Sequence, residues 1–488
     1  MRRPLRPLVL GMLAIGLLAF PLAAGADHAT RPHTPNIKAL GHSPHPASFF
    51  GATSEERNVN SDLAFWGKLV FHGNYDGFRI IKGSPGNPKE ISWTHCNGDQ
   101  GDIVVWKKIL VRSWNSPAPE GRFCDGEPVP VGFEGFHVFD ISNVRDPELV
   151  GSVELSARPE ADAFGCGSHT ATAVPDRENN RLLIYNQTSG GPCPFVGIIQ
   201  VPLDDPAGAS FVRNEPLVEA GAAHDCGAIL GKVMLLACAA HDHANVFSIG
   251  GAGGGTLEDP EFLYTITEPG VCNEPGNPLC NGNWHSASFT WDGKVIILGW
   301  EPGGGAAPEC EATDPDVKKS MFFYDAEDGT KLGQWTLPRP QSAEENCTIH
   351  NYNTVPLKSG RYVVVSGNYQ AGTWVTEFTD PANPRTIAWS DPPPLGQVTT
   401  PTGEVVNELG GAWSTYWYNN FLWESEITKG LNVFRVSDKS LAGAKRLSHL
   451  NPQTQEFSLH KKFKKDKKDK DDKGKKGKKG KKKKGKRP

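Results

Sequence analysis

The stretch GFHVFDISNVRDPELVGSV, Gly135–Val153, decides the fold. It reads as a short strand of alternating apolar residues, a polar turn carrying Asp140, Asn143, Asp146 and Pro147, and a second strand ending at Val153. Aromatic and β-branched residues at period two around an Asx- and Pro-containing turn form a β-hairpin. The phrase returns as GFRIIKGSPGNPKEISW from Gly77, VGIIQVPLDDPAGASFV from Val196 and ANVFSIGGAGGGTLEDPEFLYTI from Ala244. Three further copies are SMFFYDAEDGTKLGQWTL from Ser320, WVTEFTDPANPRTIAW from Trp374 and LNVFRVSDKSLAGAKRLSHL from Leu431. Between consecutive copies lies another hairpin, as in SDLAFWGKLVFHG from Ser61, DIVVWKKILVRSW from Asp102 and SFTWDGKVIILGW from Ser288.

Each repeat therefore supplies four short strands at a period of roughly 40 to 65 residues, and one such sheet cannot bury both of its faces alone. The sequence thus reads as all-β, a seven-bladed β-propeller with four-stranded blades over residues 60–456. Long amphipathic helical periodicity is absent, which argues against α/β folds. Residues 37–50 precede the first repeat and are placed to add a strand that closes the ring.

The Gly135 hairpin and FTDPANPRTIAW from Phe378 resemble the LVIVD repeat of bacterial surface and secreted propellers. WHSASFTWDGKVIILGWEPGGG from Trp284 and NCTIHNYNTVP from Asn346 are similar to segments of actinobacterial secreted members. The resemblance spans all seven repeats and is weakest in the fourth. It implies a fold and an extracytoplasmic compartment, and it brings no assigned reaction.

Residues 1–26 begin with Arg2, Arg3 and Arg6, continue through an apolar run from Leu8 to Ala24, and end in Ala24-Gly25-Ala26 before Asp27. This is the pattern of a cleaved signal peptide, and Pro21 and Gly25 make it a poor membrane span. Residues 27–59 form an N-terminal segment. Ten cysteines in an exported chain predict five disulfides. Loop positions pair Cys96 with Cys124, Cys166 with Cys193, Cys226 with Cys238, Cys272 with Cys280, and Cys310 with Cys347.

The net charge of -4 divides unevenly. From Lys461 to Pro488 stand 18 Lys/Arg against 4 Asp, a net of +14, so the remainder carries -18. Residues 457–488 hold almost no apolar side chain and read as a disordered tail. Such a tail binds polyanions by counterion release. In an exported protein the polyanion at hand is an anionic cell-envelope polymer, and nucleic acid is the lesser alternative. No HExxH, GxSxG or P-loop pattern is present, and the glycine runs lack the following helix that a phosphate site requires.

Aligning the first hairpins on their turns brings Asn60, Gln100, His169, His224, His285, His350 and Ala412 to one position at the start of the innermost strand. Innermost strands surround a propeller axis, so His169, His224, His285 and His350 converge on one mouth of the channel. Imidazole nitrogen suits zinc, copper and iron, and several imidazoles around an open position can hold an ion that still accepts a ligand. The returning strands bring His72, His241, His243, Glu301 and Glu424 to the same mouth, where with Gln100 and Asp225 they could orient the imidazoles. A histidine repeated from blade to blade can equally be a hydrogen-bond partner for the neighbouring strand. Trp114, Trp284, Trp300, Trp413 and Trp417 lie near the mouth in this alignment, either as stacking surfaces or as packing between blades. Two functions follow. One is a secreted or cell-surface binding module presenting its loop-rimmed face to a protein or glycan. The alternative is a metal-dependent enzyme, an oxidoreductase, with the four histidines as ligands.

Overall fold

The computed structural model describes residues 31–456, apart from 54–56, 99, 157–165, 189–192, 219–220, 242, 272–281 and 359, together with Leu459. The signal peptide, the Cys272–Cys280 pair and the Lys-rich segment from residue 461 lie outside the described residues. Strands dominate what is described. The helices there are 3-10 turns of three or four residues, and no helix is long and apolar enough to cross a membrane.

The deciding hairpin forms as its alternation dictates, Gly135–Asp140 pairing antiparallel with Glu148–Glu154. On its other side Gly135–Asp140 pairs with Ile109–Trp114, which pairs in turn with Ile103–Trp106, completing a four-stranded meander. A bulge between Val138 and Phe139 bends the outer edge. The same meander recurs along the chain. Its innermost strands are Asn60–Trp66, Ile103–Trp106, Thr170–Asp176, Ala223–Leu230, Gly282–Phe289, Asn351–Thr354 and Ala412–Tyr418. They pack against one another in that order, and the last returns to the first. That cyclic order makes the fold propeller-like, with side chains from the inner strands meeting around a central channel.

The ring is closed by the far end of the chain. Ile37–Pro44 pairs antiparallel with Gly430–Val436, Ile37 opposite Val436 and Pro44 opposite Gly430. The residues after Val436 therefore do not return as the outer strand that the seventh repeat suggests; Lys439–Leu441 form a 3-10 turn instead. Arg31, upstream of the closing strand, reaches Glu424 with an Nη2–Oε1 distance of 3.2 Å, and both side chains are buried.

The C-terminal segment takes a path the repeats do not announce. His449–Leu450 pairs with Phe65 and Trp66, and Asn451 brackets Val105, accepting from its N–H at 2.9 Å and donating to its carbonyl at 3.0 Å. Thr454 and Gln455 then run parallel to Ala228 and Ile229, and the Gln455 amide donates to Ser288 Oγ at 3.0 Å. All of these contacts fall near the finishing ends of the inner strands, so residues 449–455 plug the channel at that end.

Adjacent meanders bury apolar clusters between them. Phe71, Phe78, Ile80, Ile103, Leu110 and Phe139, for example, fill one such interface, with Phe78 and Phe139 edge to face at 4.9 Å. Each buried Leu, Ile or Phe contributes about 1.5–3 kcal/mol of transfer free energy. Disulfides join Cys96 to Cys124, Cys166 to Cys193, Cys226 to Cys238 and Cys310 to Cys347. These four bridges point to an oxidising, extracytoplasmic compartment.

Candidate functional site

The four histidines do meet, and a backbone irregularity helps to aim them. The inner hairpin pairings skip a residue between Ala223 and Asp225, between Trp284 and Ser286, and between Ala412 and Ser414. The skipped residues are His224, His285 and Trp413. A bulge of this kind re-aims a side chain out of the ladder, here toward the channel. In the last meander the matching residue is thus Trp413 rather than Ala412, because the strand from Trp413 to Tyr418 is one residue shorter than that from His224 to Leu230, so counting back from the turn overshoots. His169 and His350 stand immediately before the Thr170–Asp176 and Asn351–Thr354 strands.

The rings form a file around the mouth, with centroids 4.4 Å apart for His169 and His224, 3.9 Å for His224 and His285, and 4.2 Å for His285 and His350. All four are buried. His350 Nδ1 donates to the Trp413 carbonyl, which fixes its proton on Nδ1. His285 Nδ1 meets Ser286 Oγ at 2.5 Å, and that hydroxyl donates to the His350 carbonyl at 2.6 Å. Each of these two rings is therefore tied through Nδ1 toward the next inner strand, leaving Nε2 for the channel. Their Nε2 atoms lie 3.8 and 3.7 Å from the two carboxylate oxygens of Glu301. That gap is too long for a hydrogen bond and suits two ligands of one ion at about 2.0–2.2 Å each.

Ligand-capable atoms lie within 4.8 Å of one another in two overlapping triads, His285–Glu301–His350 and His224–Asp225–His285, rather than in one set of four histidines. Burial lowers the pKa of His224 and of His350 to about 3 and that of His285 well below the usual value, neighbouring imidazoles adding to the effect. The rings are therefore neutral near pH 7, the form that binds a metal. Burial also pushes the Glu301 carboxyl up to about 8, although Tyr369 Oη donates to it at 2.7 Å.

Above this floor opens a cavity of about 380 Å³. Phe49, Tyr75, Tyr369, Leu409 and Trp413 supply apolar wall, and Gly304, Gly305 and Asn346 supply rim. Phe49 is held there by its neighbours, since Ser48 Oγ donates to Glu408 at 2.5 Å and the Phe49 N–H donates to the same carboxylate at 3.0 Å. Gly305 adopts φ +75°, and a Cβ there would come within 2.4 Å of Tyr369 Oη and 2.7 Å of Glu301 Oε1. Only glycine leaves the carboxylate and the cavity in place. Beneath the floor a void of about 10 Å³ is bordered by Asp62, Asp102 and Asp225, and the plug residue Gln453 donates to Asp62 at 2.9 Å. Burial pushes Asp62 up to about 6 and Asp225 up to about 7. It raises Asp102 well above its usual value, the charges of Asp62 and Asp225 adding to the effect.

Gln100 borders both the cavity and the void. The other residues read from the sequence as mouth residues lie elsewhere. His72 is sandwiched between Arg79, 2.8 Å from Nδ1, and Ser425, 2.8 Å from Nε2, in a buried joint between meanders. Glu424 is consumed by Arg31, Thr373 and Asn432. His241 and His243 do not share a strand face, because the strand ends at Ala240, whose N–H turns back to the His243 carbonyl at 3.0 Å. Trp114, Trp284, Trp300 and Trp417 fill apolar clusters between meanders, so Trp413 is the one of the five at the cavity. Phe49, Tyr75 and Tyr369 escaped sequence reading because they come from loops outside the inner strands. A further cluster, Cys96, Cys124 and His137, has its sulfurs engaged in a disulfide.

No family model matches this chain, and no curated protein is similar to it. Among solved structures, the crystal structure of BamB from Moraxella catarrhalis is similar over 76% of this chain and 80% of its own, at 9% identity and a TM-score of 0.38.

Proposed function

We propose that this chain is an exported, seven-bladed β-propeller of the LVIVD-repeat kind, with four strands per blade, that binds a transition metal in its mouth cavity and a small ligand above it. The observation that carries this reading is the pair of buried, neutral imidazoles of His285 and His350, each tied through Nδ1 and directing Nε2 at Glu301. Zinc, copper and iron all suit such a donor set. The cyclic order of the inner strands supports the blade count, and the signal-like N-terminus together with the disulfides supports secretion. Elemental analysis of the untagged mature protein tests it. A stoichiometric transition metal that is lost in a His285→Ala, His350→Ala double variant is expected; a metal-free wild type overturns the reading.

The C-terminal plug favours a second role at the envelope. It delivers the chain to Leu459, which is buried beside Trp291, Thr354 and Tyr362, on the side of the ring away from the histidines. The +14 segment beyond it then binds anionic envelope polymers. Cosedimentation with such polymers is expected to weaken steeply with salt and to vanish when residues 461–488 are deleted. Binding that survives the deletion defeats it.

A further inference from the structure

We infer that the mouth cavity accepts an uncharged aromatic molecule carrying one hydroxyl, with its ring against Trp413, Tyr75 and Phe49 and its hydroxyl on the His285–Glu301–His350 floor. This deepens the metal reading and rests on it for the hydroxyl contact.

Size gives the first constraint. At about 380 Å³ the cavity falls toward the lower end of the range of small-molecule sites.

Charge gives the second. Among the described residues no Lys or Arg lines the cavity, so an anionic group on the body of the ligand would leave water without a counter-ion beside it. The floor, with its imidazole nitrogens and one carboxyl group, and the bordering Gln100 amide are where a polar atom is met on equal terms.

Hydrogen-bond accounting gives the third. Asn346, the amide on the rim, has spent its side-chain oxygen and one of its two amide hydrogens. It donates to the Gly305 carbonyl at 2.8 Å and accepts from Gln370 at 2.8 Å and from the Gly410 N–H at 3.1 Å. The Tyr369 hydroxyl is spent on Glu301. These walls therefore offer more contact area than hydrogen bonds, while the unspent Nε2 atoms of His285 and His350 lie at the bottom. A ligand that suits this gradient has an apolar body and one polar end.

The aromatic wall gives the fourth. Phe49 meets Tyr75 at 5.8 Å and 72°, Tyr75 meets Trp413 at 6.2 Å and 86°, and Trp413 meets His350 at 5.1 Å and 85°. Successive edge-to-face contacts lock these rings against one another, so a planar guest finds a fixed surface rather than side chains that must first be ordered.

Calorimetric titration of the full mature chain, its metal content measured beforehand, tests the assignment with 4-methylphenol, 4-methylcyclohexanol and 4-hydroxybenzoate. We expect 4-methylphenol to bind at least about tenfold more tightly than the non-aromatic alcohol or the acid, and Trp413→Leu to weaken it by about tenfold at unchanged metal content. Equal affinity for the three compounds, or no binding of 4-methylphenol to metal-loaded protein, overturns it. The ranking uses wild type alone, so it stands even if the Trp413 variant folds poorly. Should the protein hold no metal, the metal reading fails by itself. The ligand class is then decided by the same ranking on metal-free protein, where order retained supports it and order lost overturns it.

Discussion

Gly305 and Asp62 carry the most direct consequences at the scale of single residues. Gly305→Ala forces a Cβ into Glu301 and Tyr369 at a positive φ. Strain of this kind costs about 1–3 kcal/mol, so we expect a lower urea midpoint together with loss of bound metal; retention of full metal occupancy contradicts the placement of Glu301. Asp62, with its folded pKa raised from 3.8 to about 6 by burial, holds a proton that the unfolded chain has released. The stability this contributes is complete below pH 4 and is lost as pH rises through 6. Asp62→Asn keeps an acceptor for Gln453 and abolishes the titration, so its Tm relative to wild type is expected to improve between pH 4 and pH 7. A pH-independent difference contradicts that sign. Residue chemistry was only half legible in the sequence. The shared position of His169, His224, His285 and His350 could be counted from turn to turn. The fates of His72 and Glu424 could not, because their partners Arg79 and Arg31 are ordinary basic residues until the fold brings them alongside.

Elements decide which of those residues face the channel. The pairing of Ile37–Pro44 with Gly430–Val436 is secured by Arg31, whose guanidinium neutralises buried Glu424 and, as the chief opposing influence to burial, helps hold that carboxyl below its usual pKa. Arg31→Ala strands a buried charge, which typically costs about 3–5 kcal/mol. We expect a large fall in stability, partly recovered by adding Glu424→Gln; a change within error identifies the closing strand as a passive edge. Hairpins of period two were readable because each carries its own turn. Two features were not. The bulges that re-aim His224, His285 and Trp413 leave no mark on apolar periodicity. The plug from His449 to Gln455 has no pattern of its own, since its hydrogen bonds go to other strands rather than to a local partner.

For the molecule as a whole, the ring order means that no meander is complete without its neighbours, and the segments Ile37–Pro44 and 449–455 provide the closing pieces. Deleting residues 461–488 is expected to leave Tm unchanged, whereas truncation before His449 removes the contacts to Phe65, Val105, Ala228 and Ser288 and is expected to lower it substantially. Buried hydrogen bonds cost about 1–3 kcal/mol for each partner left unsatisfied. Equal thermal denaturation of the two truncations contradicts the plug as a structural member.

The plug also settles traffic and orientation together. A channel stopped at one end is a cul-de-sac, so whatever enters past Phe49 and Trp413 must leave by the same door, and an occupied floor blocks the next arrival. Because Leu459, the last described residue, lies on the side of the stopper rather than the doorway, a molecule held to an anionic surface as proposed above keeps its doorway open to the medium. Immobilised and free protein are then expected to fill with equal affinity.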